Sequence, residues 1–312
     1  MTDDSEKRII DETVPSALAG QRVDRVISLV ADIPRAAASQ IIDAGAVLLD
    51  GVVVKAGKIK VSEGQRIVVD LSLLPEKKLP AAEPNIKVEV VYVDDDVIVI
   101  NKQAGIVVHP GAGNPTGTLV NAVLAIYPEI ATVGDPFRPG VVHRLDAGTT
   151  GLMVMARTGR AYESLVEALQ RRVVVRRYLA IVWGEMSAPS GVIDAPLGRD
   201  QRDPTKMAVL AGGKVARTNY EVRQTFTLPV SCSLLECGLE TGRTHQIRVH
   251  LATLGHSVVG DVVYGGARSV LSSPRPMLHA MTLKFDHPVT GIEMEFHSQT
   301  PKDFATILEK CS

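Results

Sequence analysis

The stretch Val141-Val142-His143-Arg144-Leu145-Asp146-Ala147-Gly148-Thr149-Thr150-Gly151-Leu152 decides how this chain is read. Asp146 stands between two basic residues, His143 and Arg144, and a run of small residues from Ala147 to Gly151 that is a poor helix interior. A carboxylate on a tight loop beside an arginine is favoured as an exposed anion, which suits a nucleophile or a base. No other segment offers as convincing a catalytic group. The residues that follow, Leu152 to Ala156, form an apolar run of strand length.

The surrounding chain has room for such a site. Its 312 residues are enough for about two domains of roughly 150 residues each. A hydrophobic content of 45% supports a sizeable core and excludes global disorder. The formal net charge of −1 hides a local asymmetry. Residues 1–14 hold five acids against two bases, whereas 171–177 hold four arginines and no acid. A nucleic-acid binder needs a local basic surface, so the neutral total does not exclude one. Three cysteines, Cys232, Cys237 and Cys311, with no C-x-x-C spacing, read as buried reduced thiols. The first residues lack the basic and apolar regions of a signal peptide, and no apolar run reaches the roughly 18 residues of a membrane span. A cytoplasmic, monomeric protein is the expectation.

Residues 1–13 read as an acidic flexible tail and 14–72 as a small module. In that module Arg22 to Leu29 and Ala36 to Ala44 carry apolar residues at helical spacing, and Gly45 ends the second helix. Val47 to Leu49 and Val52 to Val54 flank an Asp50-Gly51 turn as a hairpin, and Arg66 to Leu71 adds a strand. Residues 73–85, with Pro75, Pro80 and Pro84, have the composition of a linker. The remainder, 86–312, alternates irregularly between helices and short strands. Strands are expected at 88–93, 97–101, 105–109, 152–156, 178–182, 217–223, 233–240, 282–286 and 292–297. Helices are expected at 118–127, 159–171, 244–254 and 301–310. Such an order predicts an α+β fold around a mixed sheet rather than a doubly wound parallel one. Gly111 to Gly117 lacks the spacing of either common phosphate loop, so no nucleotide cofactor is expected.

Two further segments carry chemistry. Thr241-Gly242-Arg243-Thr244-His245-Gln246-Ile247-Arg248-Val249-His250 reads either as a solvated helix start capped by Thr241 or Gly242, or as a basic patch with one inward arginine. If its loop meets the first, Arg248 pairs with Asp146 and orients it. His245 and His250 lack the companions of a metal site, and no metal is expected. Arg171 to Arg177 lead into a strand beginning at Tyr178, an aromatic that reads either as core or as a platform for a planar ligand. The loop 199–217, with an excess of base, reads as solvated or as a nucleic-acid contact.

Taken together, these segments resemble the ribosomal and transfer RNA pseudouridine synthases that carry the His-Arg-Leu-Asp signature. His143 to Asp146 with Thr149 to Leu152 match the catalytic motif, Arg177 to Gly184 the tyrosine motif, Gly242 to Arg248 the arginine motif and Met277 to Ala280 the pocket-leucine motif. Val108 to Asn114, Gly255-His256 and Gly260 to Gly265 are similar as well. The resemblance implies a pseudouridine synthase fold with a central mixed, mostly antiparallel sheet over 86–312. It also implies an isomerisation that breaks N1–C1′ of uridine and forms C5–C1′, without a cofactor. On this likeness Asp146, Tyr178 and Arg248 are catalytic. Arg144 fills the space of the extruded nucleotide, Leu278 lines the pocket, and His143, Thr149, Arg177, Arg243 and His245 complete the substrate site.

Residues 14–72 look like the S4 RNA-binding module, an α/β unit in which Arg22 and Arg35 would contact RNA. The implied partner is ribosomal RNA of the large subunit or its precursor. The alternatives are another ribosomal or transfer RNA uridine, or a non-catalytic S4-type ribosome assembly factor. Four departures from the family pattern stand out: Pro34, Asp50, Gln103 and the pair Ala147-Gly148.

Overall fold

The computed structural model describes residues 9–74, 78–111, 113–203 and 205–311. Residues 1–8 of the expected tail and 75–77 of the expected linker lie outside this description. The chain divides into two compact units, residues 1–78 and 79–312.

In the first unit, helices α1 (Val23–Val30) and α2 (Arg35–Asp43) pack on a sheet of order β1-β4-β2-β3. Its strands are β1 (Ile9–Thr13), β2 (Val47–Leu49), β3 (Val52–Val53) and β4 (Arg66–Asp70). Val23, Val26, Ile27, Ile41, Ile42, Val47 and Val69 are sealed between the layers. Asp50 and Gly51 both have positive φ, 51° and 81°, the pairing that a two-residue hairpin turn requires. The aspartate that departs from the family pattern is one of the few residues that tolerate it. The expected tail is corrected at Ile9–Thr13. This acidic segment is an edge strand paired with β4, with Ile10 turned to the core and Asp11 held by Arg66. Acidic side chains suit an edge facing water, which is why composition alone reads as a tail.

The second unit is built on a sheet of order β5-β6-β7-β14-β8-β13-β12-β9, with β15 also paired to β14. The ranges are β5 (Glu89–Val93), β6 (Val97–Lys102), β7 (Thr150–Ala156), β8 (Val175–Trp183), β9 (Ser190–Asp194), β12 (Arg217–Phe226), β13 (Cys232–Leu239), β14 (Leu278–Asp286) and β15 (Glu293–His297). All these pairings are antiparallel except β7 with β14. The sheet is therefore mixed and mostly antiparallel, and the fold is α+β. β7 is buried along its whole length, which accounts for its unbroken apolar sequence. Helices α3 (Leu119–Ile126), α4 (Gly159–Gln170), α5 (Gln246–Thr253) and α6 (Lys302–Cys311) complete the unit. No helix among the described residues is long and apolar enough to cross a membrane. The three cysteines are free and buried.

The parallel pairing positions the site. Gly151 lies opposite Ala280 with φ +107°, and a Cβ there would fall 2.1 Å from the Ala280 carbonyl oxygen. Only glycine permits this approach. It brings the Asp146 loop, just before β7, to the same sheet end as Leu278, the first residue of β14.

Several expectations on elements need correction. Residues 105–109 form no strand. Their backbone instead bonds the Asp146 loop and α3, through Gly105 N–H to Ala147 O and through Leu119 and Val120 N–H to Val107 and Val108 O. Part of the polar loop 199–217 is a two-stranded ribbon, β10 (Leu197–Arg199) with β11 (Met207–Val209); Pro204 lies outside the described residues. β8 begins at Val175, not Tyr178, and β14 at Leu278, not 282. The expected linker ends early: Asn121 binds the Ala81 carbonyl and the Glu83 amide, drawing 81–83 into the second unit.

Candidate active site

Asp146 lies at the floor of a cleft of about 490 Å³. Its carboxylate is mostly covered, with 16% of the side chain exposed. The loop that carries it is pinned by backbone groups. Thr149 N–H donates to the Asp146 carbonyl at 3.0 Å. Two buried cations hold the next two carbonyls: Lys102 Nζ donates to Ala147 O at 3.1 Å, and Arg275 Nη1 donates to Gly148 O at 3.1 Å. The departures at 147, 148 and 103 become intelligible here, because only main-chain carbonyls are used, Gln103 O also accepting from Lys102 at 2.8 Å.

Lys102 is 1% exposed and adds Ile106 O, at 3.0 Å, as a third acceptor. Burial pulls its ammonium down to about 7; the Asp146 carboxylate opposes this and Arg275 adds to it. Three carbonyls match the three N–H donors of an ammonium group. Replacing Lys102 by Met removes three bonds, leaving Gln103 O and Ile106 O without that donor and Ala147 O with the Gly105 amide alone, a cost of about 3 kcal/mol or more. Thermal unfolding of Lys102→Met is expected to show a Tm lower by ~6–12 °C. An unchanged Tm would remove Lys102 from the account of the loop.

Arg248, on α5, is 5% exposed and reaches Asp146 Oδ2 through Nη1 at 3.0 Å. The two residues are 102 positions apart in sequence. The guanidinium is held from behind by Asp261, which accepts from Nε at 2.6 Å and from Nη2 at 2.8 Å. Asp261 is fully buried and also accepts from the amides of Val263 and Tyr264. Burial opposes the Arg248 cation, but the bonds and fields of both carboxylates outweigh it and raise its pKa. The Tyr264 ring lies 5.2 Å from the guanidinium carbon. The planar fork of Arg248 therefore has one orientation, and so has the carboxylate in front of it.

His245 is the N-cap of α5, in left-handed conformation with φ 57°. The cap expected at Thr241 or Gly242 is corrected, as is the solvated helix start: Gln246 to Leu251 are buried. The Tyr264 hydroxyl accepts from Met207 N–H and lies 2.8 Å from His245 Nδ1. His245 Nε2 lies 4.0 Å from Asp146 Oδ1. Burial holds this imidazole below its usual range, against the pull of Asp146. His250 turns elsewhere, to Thr218 Oγ1 and Ala195 O, so the two histidines do not converge.

Tyr178 is buried on β8 between Cys237 and Ala280. With Thr149, Leu278, His245, Arg248 and Asp146 it lines a recess of about 40 Å³ next to the cleft. Burial pushes the Tyr178 phenol up, Arg176 opposes and Asp146 adds, leaving it raised. Arg138, Arg144, Arg172 and Arg243 are exposed along the cleft, and the buried Arg176 also lines it. His143 Nε2 accepts from Val154 N–H at 3.1 Å, which ties the motif to β7.

Arg177 is the residue the structure takes out of the site. Strand alternation turns it to the face opposite Tyr178, where it pairs with Glu236. Arg176, two residues before Tyr178, faces the cleft instead. Lys102, Asp261, Arg275 and Arg176 went unrecognised as site residues. Counting by two from Tyr178 would have found Arg176, and the likeness at Gly260 to Gly265 already contained Asp261.

In the first unit, Arg22 and Arg35 converge on one buried carboxylate. Arg22 Nη2 lies 2.8 Å and Arg35 Nη2 2.9 Å from Asp24 Oδ2, both arginines staying about half exposed. Burial pushes Asp24 up, but the two guanidinium bonds outweigh it and its pKa falls.

The comparisons with known proteins agree with this geometry. The profile for RNA pseudouridylate synthases matches residues 96–253 and the S4 domain profile residues 21–67. The chain is 42% identical over 314 residues to the ribosomal large subunit pseudouridine synthase D of Vibrio parahaemolyticus, covering 96% of this chain and 94% of that one. The Escherichia coli protein of the same name is 42% identical over 311 residues, covering 95% and 92%. Among solved structures, human RNA pseudouridylate synthase domain containing 1 and domain containing 4 are both similar at a TM-score of 0.56 and 26% identity. They cover 70% and 72% of this chain and 86% and 92% of their own. The profile match over residues 96–253 and the relatives matched along nearly the whole sequence place the chain, with its carboxylate clasped by one arginine in a basic cleft, in the RNA pseudouridylate synthase family.

Proposed function

We propose that this isomerase converts uridine to pseudouridine in large-subunit ribosomal RNA, with Asp146 as its nucleophile. The carrying observation is the Asp146–Arg248–Asp261 array, which holds one Asp146 carboxylate oxygen and leaves the other without a hydrogen bond among the described residues. The substrate assignment is supported by the names of the 42% identical relatives and by the S4 domain. The target uridine leaves its stack, at a cost of a few kcal/mol that is least in a loop. Arg144, exposed at the cleft, takes the vacated place, while Arg243 and the neighbouring cations hold the backbone. Tyr178 and Leu278 pack against the uracil. A phenol with a raised pKa keeps its proton, which fits a packing surface better than a base for the C5 hydrogen. Asp146 attacks an electron-poor carbon of the nucleoside, N1–C1′ breaks, the base turns, and C5–C1′ forms as the bond to Asp146 is released; the C5 hydrogen leaves as a proton to water or the freed carboxylate and N1 takes one up, so the product is an isomer. Arg22 and Arg35 supply RNA contacts from the S4 unit, and the enzyme acts as a cytoplasmic monomer.

The test is a map of pseudouridines in ribosomal RNA from cells with and without the protein. One or a few large-subunit uridines are expected to lose the modification, and to regain it with the wild-type gene but not with Asp146→Asn. An identical map in both cells would refute the substrate assignment.

A further inference from the structure

Three arginines are buried in the described residues, and two of them hold carboxylates. Arg248 holds Asp261 and Asp146, and Arg275 holds Asp303. Arg176 is the exception. It is 7% exposed, its Nε has no hydrogen-bond partner, and it makes no ion pair among the described residues. Arginine keeps its charge in a protein, so this is an uncompensated buried cation, a costly arrangement without an anion. Gly242 passes directly over it: a Cβ there would fall 2.8 Å from Arg176 Nη1.

A second orphan sits in the same cleft wall. Because His143 Nε2 accepts the Val154 amide, its proton is on Nδ1, and Nδ1 is buried without an acceptor. Burial, reinforced by the nearby Arg176, pulls this imidazole down to about 3, so it remains a neutral donor. Buried polar groups in folded proteins are nearly always satisfied. Two unsatisfied donors, one of them a full cation, lining one cleft among further arginines, describe a seat for an anion that arrives from outside.

We propose that Arg176 and His143 Nδ1 form a subsite for one backbone phosphate of the RNA, next to the uridine presented to Asp146. This rests on the functional reading above and adds a contact to it. The phosphate neutralises the buried guanidinium as RNA binds, so a charge that is unfavourable in the free enzyme becomes an attraction for substrate. Arg176 is a positioning residue, since it holds the strand while Asp146 performs the chemistry.

The test uses purified full-length chain, a large-subunit ribosomal RNA transcript as probe, and the variants Arg176→Met and Arg176→Lys. Removing an unpaired buried charge should raise the Tm of free Arg176→Met above wild type. The same variant should bind the transcript about tenfold more weakly, with the slope of log K against log salt reduced by about one. Arg176→Lys, which keeps the charge and loses the fork, should keep the slope. A lower Tm for Arg176→Met, failure to fold, or an unchanged salt slope would each overturn the subsite. Wild-type product formation is read separately: its absence would defeat the functional reading, whereas the binding slopes still decide the role of Arg176.

Discussion

Asp146→Asn is expected to lower pseudouridine formation by about 10⁴-fold or more while leaving RNA affinity within a few-fold of wild type, since a lone nucleophile has no substitute in its site. The amide is nearly isosteric with the carboxylate, and the Asp146 backbone carbonyl that receives Thr149 N–H is untouched. The side-chain oxygen can still accept from Arg248, so the loop keeps its shape. Lost is the anion. Affinity is expected to survive because it comes from the cleft cations and the S4 unit, which the substitution does not touch. Single-turnover assays with purified protein, paired with RNA-binding titrations, separate the two effects. Parallel loss of binding and product would mean that the carboxylate shapes the cleft rather than reacting.

Arg248→Met is expected to be the second most damaging change, and to act on stability as well as rate. Arg248 is the shared cation of two carboxylates, Asp261 on Nε and Nη2 and Asp146 on Nη1. Its removal leaves Asp261, fully buried, without a counter-charge, and breaking such a pair costs about 3–5 kcal/mol. Asp146 loses the bond that orients it, and a misplaced catalytic group costs about 10²-fold or more in rate. The expected result is a Tm lower by several degrees together with a kcat reduced about 10²–10³-fold. Full kcat in a correctly folded Arg248→Met protein would show that Asp146 needs no partner.

The catalytic constellation was readable where local sequence carried the information. The His143 to Asp146 loop, the Asp50-Gly51 turn and the apolar run of β7 each announce themselves within a few residues. What was hidden depends on long-range juxtaposition. Nothing around Asp261 reveals that it backs Arg248 across thirteen residues and a turn. Lys102 looks like a surface lysine after a strand until the chain from Gly105 to Val108 folds over it. That segment read as a strand because it is apolar, yet its amides and carbonyls serve the Asp146 loop and α3 instead of a sheet partner. The motif as a string of residues points to Arg177 and passes over Arg176. The strand alternates sides, and only one of the two can share a face with Tyr178. The edge strand Ile9–Thr13 was concealed by its acidic composition, which its exposed position tolerates.

The central claim is that the carboxyl group at position 146 meets the target uridine outside its helix. A structure of Asp146→Asn bound to its RNA measures this directly. The account predicts the uridine flipped into the cleft, its uracil against Tyr178 and Leu278, and an electron-poor carbon within ~3.5 Å of the position-146 side chain. A uridine still stacked in the RNA, or seated away from Arg248 with Arg144 in solvent, would contradict it.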